Sequence, residues 1–214
     1  MKKSSFVITF KEFVDYMLWD DYLLDRIEHA RMVVKAIEVK RDIFDAFVFH
    51  ICANWEILVE TLLIDCLNWD TSRFKEFTGI EIPKNVTREI CTAIVLGRGY
   101  FDFRSTDNLR QIANEMLVPQ FNPFKEIPKS NGDKVDEFFK IRNYLAHYSD
   151  AARRSLKKVY RDNYGLKTFR APGEFLLAKD RKTGLSRMTG YIKNFEDTAR
   201  IMAKFLNVDM PDIS

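Results

Sequence analysis

Between Ile43 and Trp69 apolar side chains fall at nearly every angle around a helix, broken singly by Asp45, His50, Asn54, Glu56, Glu60 and Asp65. A helix without a polar face belongs inside a bundle, surrounded by other helices or covered by a second subunit. This stretch is therefore expected to be the central helix of the fold. Its polar residues are costly in a bilayer, so no membrane span is expected.

The remainder must supply the surrounding elements. Gly 8 and Pro 6 are few for a turn-rich β protein, which favours an all-α fold. A chain of 214 residues can bury one sizeable core, and a single domain over 1–214 is expected, packed from about residue 20 to 206. Eighteen phenylalanines need either a deep core or a large apolar interface to leave water, which makes a homodimer the working expectation.

Along the chain, residues 5–10 read as a strand or an extended arm, and a charged helical stretch covers about 20–39 before the central helix. Residues 86–96 form a short helix with Thr87 near its start, followed by a break at Gly97-Arg98-Gly99. From Thr106, the spacing of Leu109, Ile112, Ala113 and Met116 predicts a helix capped by Asp107. Pro119, Pro123 and Pro128 then impose an irregular link. Asp133 is the expected cap of the next helix, which runs through Val135, Phe138, Ile141 and Leu145, with Leu145 and Tyr148 facing inward. Residues 164–190 shift to Gly, Lys and Arg around Phe175-Leu176-Leu177 and read as a small loop or hairpin insertion turning at Lys182-Thr183-Gly184. A last amphipathic helix over 192–206 closes the bundle.

Cys52, Cys66 and Cys91 are odd in number, form no CxxC pair and lie in apolar helical contexts, so they read as reduced core thiols. The first ten residues lack the apolar stretch of a secretory signal. A cytoplasmic protein is expected.

The chemistry concentrates in Arg142-Asn143-Tyr144-Leu145-Ala146-His147. At about 100° per residue, Asn143 and His147 nearly overlay on a helix, with Arg142 to one side, forming one polar edge on a packed element. Imidazole exchanges protons near neutral pH, guanidinium neutralises phosphate charge, and the amide orients either of them. Those groups suffice to cleave RNA through its own 2′-hydroxyl: a base takes the hydroxyl proton and a cation stabilises the crowded phosphorus. No clustered carboxylates at metal-ligand spacing and no Gly-rich phosphate loop occur, so no metal or cofactor is expected.

Phe138-Phe139-Lys140-Ile141-Arg142-Asn143-Tyr144-Leu145-Ala146-His147 resembles the signature helix of the HEPN superfamily, in which Arg, a polar residue, a spacer and His follow an aromatic-rich turn. Ala53-Asn54-Trp55-Glu56 resembles a Trp-Glu segment on an early helix of several HEPN subgroups, and the likeness extends over about residues 40–205. The resemblance implies a helical bundle that dimerises with two signature helices face to face, so that two sets of Arg142, Asn143 and His147 share one cleft. It also implies metal-independent endoribonuclease activity in toxin–antitoxin, abortive-infection or other antiviral settings, with a cognate antitoxin as a further partner. Members inhibited by tyrosine modification carry that tyrosine two positions after the histidine. Here that position is Ser149 and the tyrosine is Tyr148, so the same inhibition is not implied.

Residues 151–193 hold twelve basic side chains against three acidic ones, a net +9 where the whole chain is +3. Arg153, Arg154, Lys157, Lys158 and Arg161 directly follow the motif, interleaved with aromatic residues, as backbone capture and base stacking on single-stranded RNA require. The bland alternative is a solvated basic face. Glu56, in so apolar a helix, either pairs an arginine such as Arg142 or faces solvent at a groove. The rival to the ribonuclease is a non-catalytic HEPN module that binds RNA, a nucleotide or a protein partner as a regulator.

Overall fold

Helix α2, Ile37–Trp69, is the axis on which the other elements are assembled. In a computed structural model, residues 7–17, 22, 37–83, 86–97, 103–180 and 183–210 are described. Residues 7–17 form α1, and α3 (Ser72–Thr78), α4 (Arg88–Leu96) and α5 (Thr106–Met116) follow α2. Two short 3-10 turns lead into α6 (Lys129–His147), α7 (Asp150–Tyr164), α8 (Pro172–Leu177) and α9 (Arg187–Phe205). The fold is an all-α bundle, and among the described residues an isolated bridge between Lys179 and Ser186 is the sole β pairing.

The inner face of α2 buries Phe44, Val48, Ile51, Trp55, Leu58, Leu62 and Cys66 against α4, α6 and α8. Trp55 is the hub, with the rings of Phe195, Phe13 and Phe103 at 5.2, 6.0 and 6.4 Å in edge contacts. Of the 18 phenylalanines, ten are buried among the described residues, so the chain's own core accounts for much of the aromatic content. By length and mean hydropathy, 1.5, Ile43–Trp69 resembles a membrane span, yet 61% of that window is buried among the other helices. The expected all-round burial is incomplete: Phe49 (41% exposed) and Ile57 (61%) open a stripe along one side.

The N-terminal strand or arm is corrected. From Val7 onward the chain is helical, because Phe10, Phe13, Val14 and Met17 recur at helical spacing and are all buried, which carries the core earlier than residue 20. Most of the helix expected over 20–39, together with residues 98–102, lies outside the described residues.

The start of α6 also differs from expectation. Pro128 is the cap and Asp133 lies inside the helix, paired with Lys129 at 2.9 Å. The Asn131-Gly132 turn signal is overridden by packing: Asn131 bonds Thr198 and Asn194 of α9, and Gly132 lies where Thr106 of α5 rests on α6. Asp107 is likewise displaced as cap by Ser105, which accepts from the backbone N–H of Asn108 at 3.1 Å. Asp136 accepts from the N–H of Thr106 at 2.8 Å and from its hydroxyl at 3.0 Å, tying α5 to α6.

A second tether joins α6 to α7 and α9. The buried carboxylate of Glu137 accepts from Lys134 at 2.7 Å, Tyr191 at 3.0 Å, Tyr164 at 3.1 Å and the amide of Asn163. Burial opposes the charge on Lys134, but its hydrogen bonds to Glu137 and Tyr164 more than offset this and hold it above the ordinary lysine range.

In the insertion, Phe175-Leu176-Leu177 is helical and buries Phe175 and Leu176, so the hairpin shrinks to the Lys179–Ser186 bridge. Gly184, with φ +73°, supplies the left-handed turn residue and the N–H of Asp180 donates to Leu185 at 2.8 Å. Lys182 lies outside the described residues.

Candidate active site

Helix α6 buries Val135, Phe138, Phe139, Ile141 and Leu145 and thereby turns Lys140, Asn143 and His147 outward along one stripe. The helix ends at His147. Tyr148 adopts the left-handed conformation at φ 45°, 69% exposed, and Ser149 opens α7 by accepting from the N–H of Ala152 at 3.2 Å. Tyr148 thus does not face inward; its ring touches Tyr144 at the edge, 5.4 Å between centroids. The imidazole consequently stands exposed at the corner between two helices.

That corner forms the rim of a cleft of about 600 Å³ lined by Phe103, Arg104, Lys140, Arg142, Asn143, His147, Ala151, Ala152 and Ser155. All three residues of the sequence motif meet there. Small side chains at the start of α7 leave the room, and Phe103, ring against ring with Phe139 at 4.4 Å, forms part of the wall. Arg142 is half-sunk: it donates to Asn143 Oδ1 at 3.2 Å, and its Nη2 lies 3.8 Å from Glu56 Oε1. Of the two sequence readings of Glu56, the ion pair with Arg142 is the one observed. Below it Cys52 is buried, and burial pushes its thiol well above the usual range; Arg142 opposes this and Glu56 adds to it.

The five basic residues after the motif do not line this cleft. Helix α7 buries Leu156, Val159 and Tyr160, which sends Arg154, Lys157 and Arg161 toward the opposite, outer face. Arg153 lies over the ring of Phe169 at 4.9 Å, and Arg161 pairs with Asp162 at 2.7 Å. Lys158 is exposed and stands nearest the cleft side of the helix.

Sequence reasoning missed Arg104 and Lys140. The second was available from helical spacing, three residues before Asn143 and seven before His147; the first arrives only through the contact of α5 with α6. Among the described residues no group of three His, Cys, Asp or Glu is placed to hold a metal ion.

The chain matches no family model, no curated protein and no solved structure. What fold and site define is an all-α bundle with a cationic cleft at the junction of α5, α6 and α7, carrying an accessible imidazole.

Proposed function

We propose that the protein is a metal-independent endoribonuclease of the HEPN type, acting as a homodimer on single-stranded or loop RNA, in a cytoplasmic toxin–antitoxin or phage-defence setting with a cognate antitoxin. The observation that carries this reading is the convergence of Arg142, Asn143 and His147 on one open cleft. His147 takes the proton of the 2′-hydroxyl, the freed oxygen bonds to phosphorus, and the P–O5′ bond breaks as the leaving oxygen takes a proton from water, leaving a 2′,3′-cyclic phosphate and a 5′-hydroxyl. Arg142 stabilises the charge that builds on the phosphoryl oxygens, and Asn143 holds the guanidinium in place. The substrate carries its own nucleophile, so the step needs no metal in principle.

Purified protein in excess EDTA is expected to cut single-stranded RNA to cyclic-phosphate ends. His147→Ala is expected to lower the rate by about 10²–10⁴ without moving the melting temperature, since the side chain is exposed. Undiminished cutting by His147→Ala overturns the mechanism.

One observation favours the rival, a non-catalytic HEPN module that binds RNA, a nucleotide or a protein partner. Arg142 is already engaged by Glu56, which leaves less of its charge for a phosphate in flight. That reading predicts binding without turnover.

A further inference from the structure

We propose that Arg104 and Lys140 form a second phosphate subsite beside the reacting centre, so that the cleft takes a strand bearing a phosphate next to the scissile one. The inference rests on the ribonuclease reading and names the part of the substrate that reading leaves open.

Three observations carry it. First, Arg104 and Lys140 line the same cleft as Arg142, Asn143 and His147. Second, the chain brings them to the same wall of it. Lys140 precedes His147 by seven residues on the same stripe of α6, a rise of about 10 Å, so the two side chains meet different parts of a bound strand. Arg104 is brought to that wall by the strap that follows it: Phe103 lies on Phe139, and Thr106 is bonded twice to Asp136, one turn before Lys140. Third, neither is locked in an ion pair. Arg142 is engaged by Glu56, whereas among the described residues neither Arg104 nor Lys140 makes an ion pair. The nearby carboxylate of Asp136 is turned to Thr106, which bonds its Oδ1 twice, and feels Lys140 without pairing with it.

Two exposed cations lining one cleft, with no carboxylate paired to either among the described residues, form a place for an anion. Within an RNA-cleaving cleft that anion is a backbone phosphate, whose capture fixes the register of the strand over His147 without reading its bases.

The test is binding of a short 2′-O-methyl oligoribonucleotide, which lacks the nucleophile and cannot be cut, measured by fluorescence anisotropy over a range of salt. Arg104→Gln/Lys140→Gln is expected to bind about tenfold more weakly at low salt and to flatten the slope of log K against log salt by about 1.4, two contacts at roughly 0.7 each for a single strand. Arg154→Gln/Lys157→Gln removes equal charge from the outer face of α7 and is expected to flatten it by less than half as much. On the unmodified strand, the Arg104/Lys140 double variant is expected to raise KM about tenfold with kcat within about twofold.

An unchanged salt slope in Arg104→Gln/Lys140→Gln, or equal changes in the two double variants, overturns the subsite. Wild-type protein that binds the 2′-O-methyl strand with the expected dependence on Arg104 and Lys140 but never cuts the unmodified one supports the subsite and ends the ribonuclease reading. Both side chains are exposed, and an unchanged melting temperature checks that each variant is folded.

Discussion

The carboxylate of Glu56, on α2, lies 3.8 Å from the guanidinium of Arg142, on α6. Glu56 is only 8% exposed, so a charge fixed in the core reaches out to a cation whose other side opens on the cleft. Under the ribonuclease reading, a carboxylate in so buried a position both aims the arginine and competes with a phosphate for it.

Those two effects separate kinetically. Glu56→Gln keeps the shape but removes the charge, so Arg142 becomes freer to bind substrate and less well aimed in the transition state. Initial-rate measurements are expected to show KM falling about threefold and kcat falling about tenfold, the latter equal to about 1.4 kcal/mol of barrier. A rise in KM with kcat unchanged contradicts the positioning role.

Gly132 lies within α6 where a methyl group has no room: a Cβ there meets the Thr106 methyl at 2.8 Å and its Cβ at 3.1 Å. Thr106 cannot turn aside, because its hydroxyl is bonded to Asp136 and to the Gly132 carbonyl. Gly132→Ala is therefore expected to cost about 1–3 kcal/mol by overpacking, despite the better helix propensity of alanine. Thr106→Ser removes the obstructing methyl and keeps the hydroxyl, so urea denaturation of the double variant is expected to recover most of the loss.

Tyr160 is fully buried between Phe169 and Phe175, and its hydroxyl has no hydrogen-bond partner among the described residues. Burial, and then the negative charge of Asp45, push its ionisation far above the ordinary tyrosine value. The unfolded chain ionises this tyrosine first, near pH ~10, so it binds fewer protons than the folded one and stability falls as pH rises past that point. Tyr160→Phe is expected to gain about 1 kcal/mol at neutral pH, by removing an unsatisfied hydroxyl, and to soften the alkaline decline. The decline is not abolished, because burial raises Tyr164 and Tyr191 as well. Denaturation curves at pH 7 and above pH ~10 measure both effects, and an equal decline in wild type and variant excludes Tyr160 as a source.

Much of the architecture was legible because it follows from helical periodicity. The apolar repeat of the central helix, the start of α4 at Thr87 and the Leu109–Ala113–Met116 face of α5 appear where the sequence puts them. What failed was local turn chemistry. Asn131-Gly132 reads as a break only until Thr106, Asn194 and Thr198 arrive from elsewhere in the chain. Residues 5–10 alternate like a strand over too short a span to outweigh the burial of Phe10, Phe13 and Met17 on a helix. The motif residues of the site were legible for the same reason as the helices, since four-residue spacing is itself a geometry. Counting charges along 151–193 was less informative, because a linear tally does not say that Arg153 turns to Phe169 or that Arg161 is paired with Asp162. Arg104 was invisible because nothing near it in sequence marks it.

The Trp55-centred aromatic cluster closes inside a single chain. A subunit that buries these rings within its own chain does not borrow them from a companion, so under the dimeric reading separating two copies exposes a surface without melting either of them. Under that reading, the number of paired clefts in dilute solution rises with the square of subunit concentration, so a small change in synthesis or turnover has a larger effect on them.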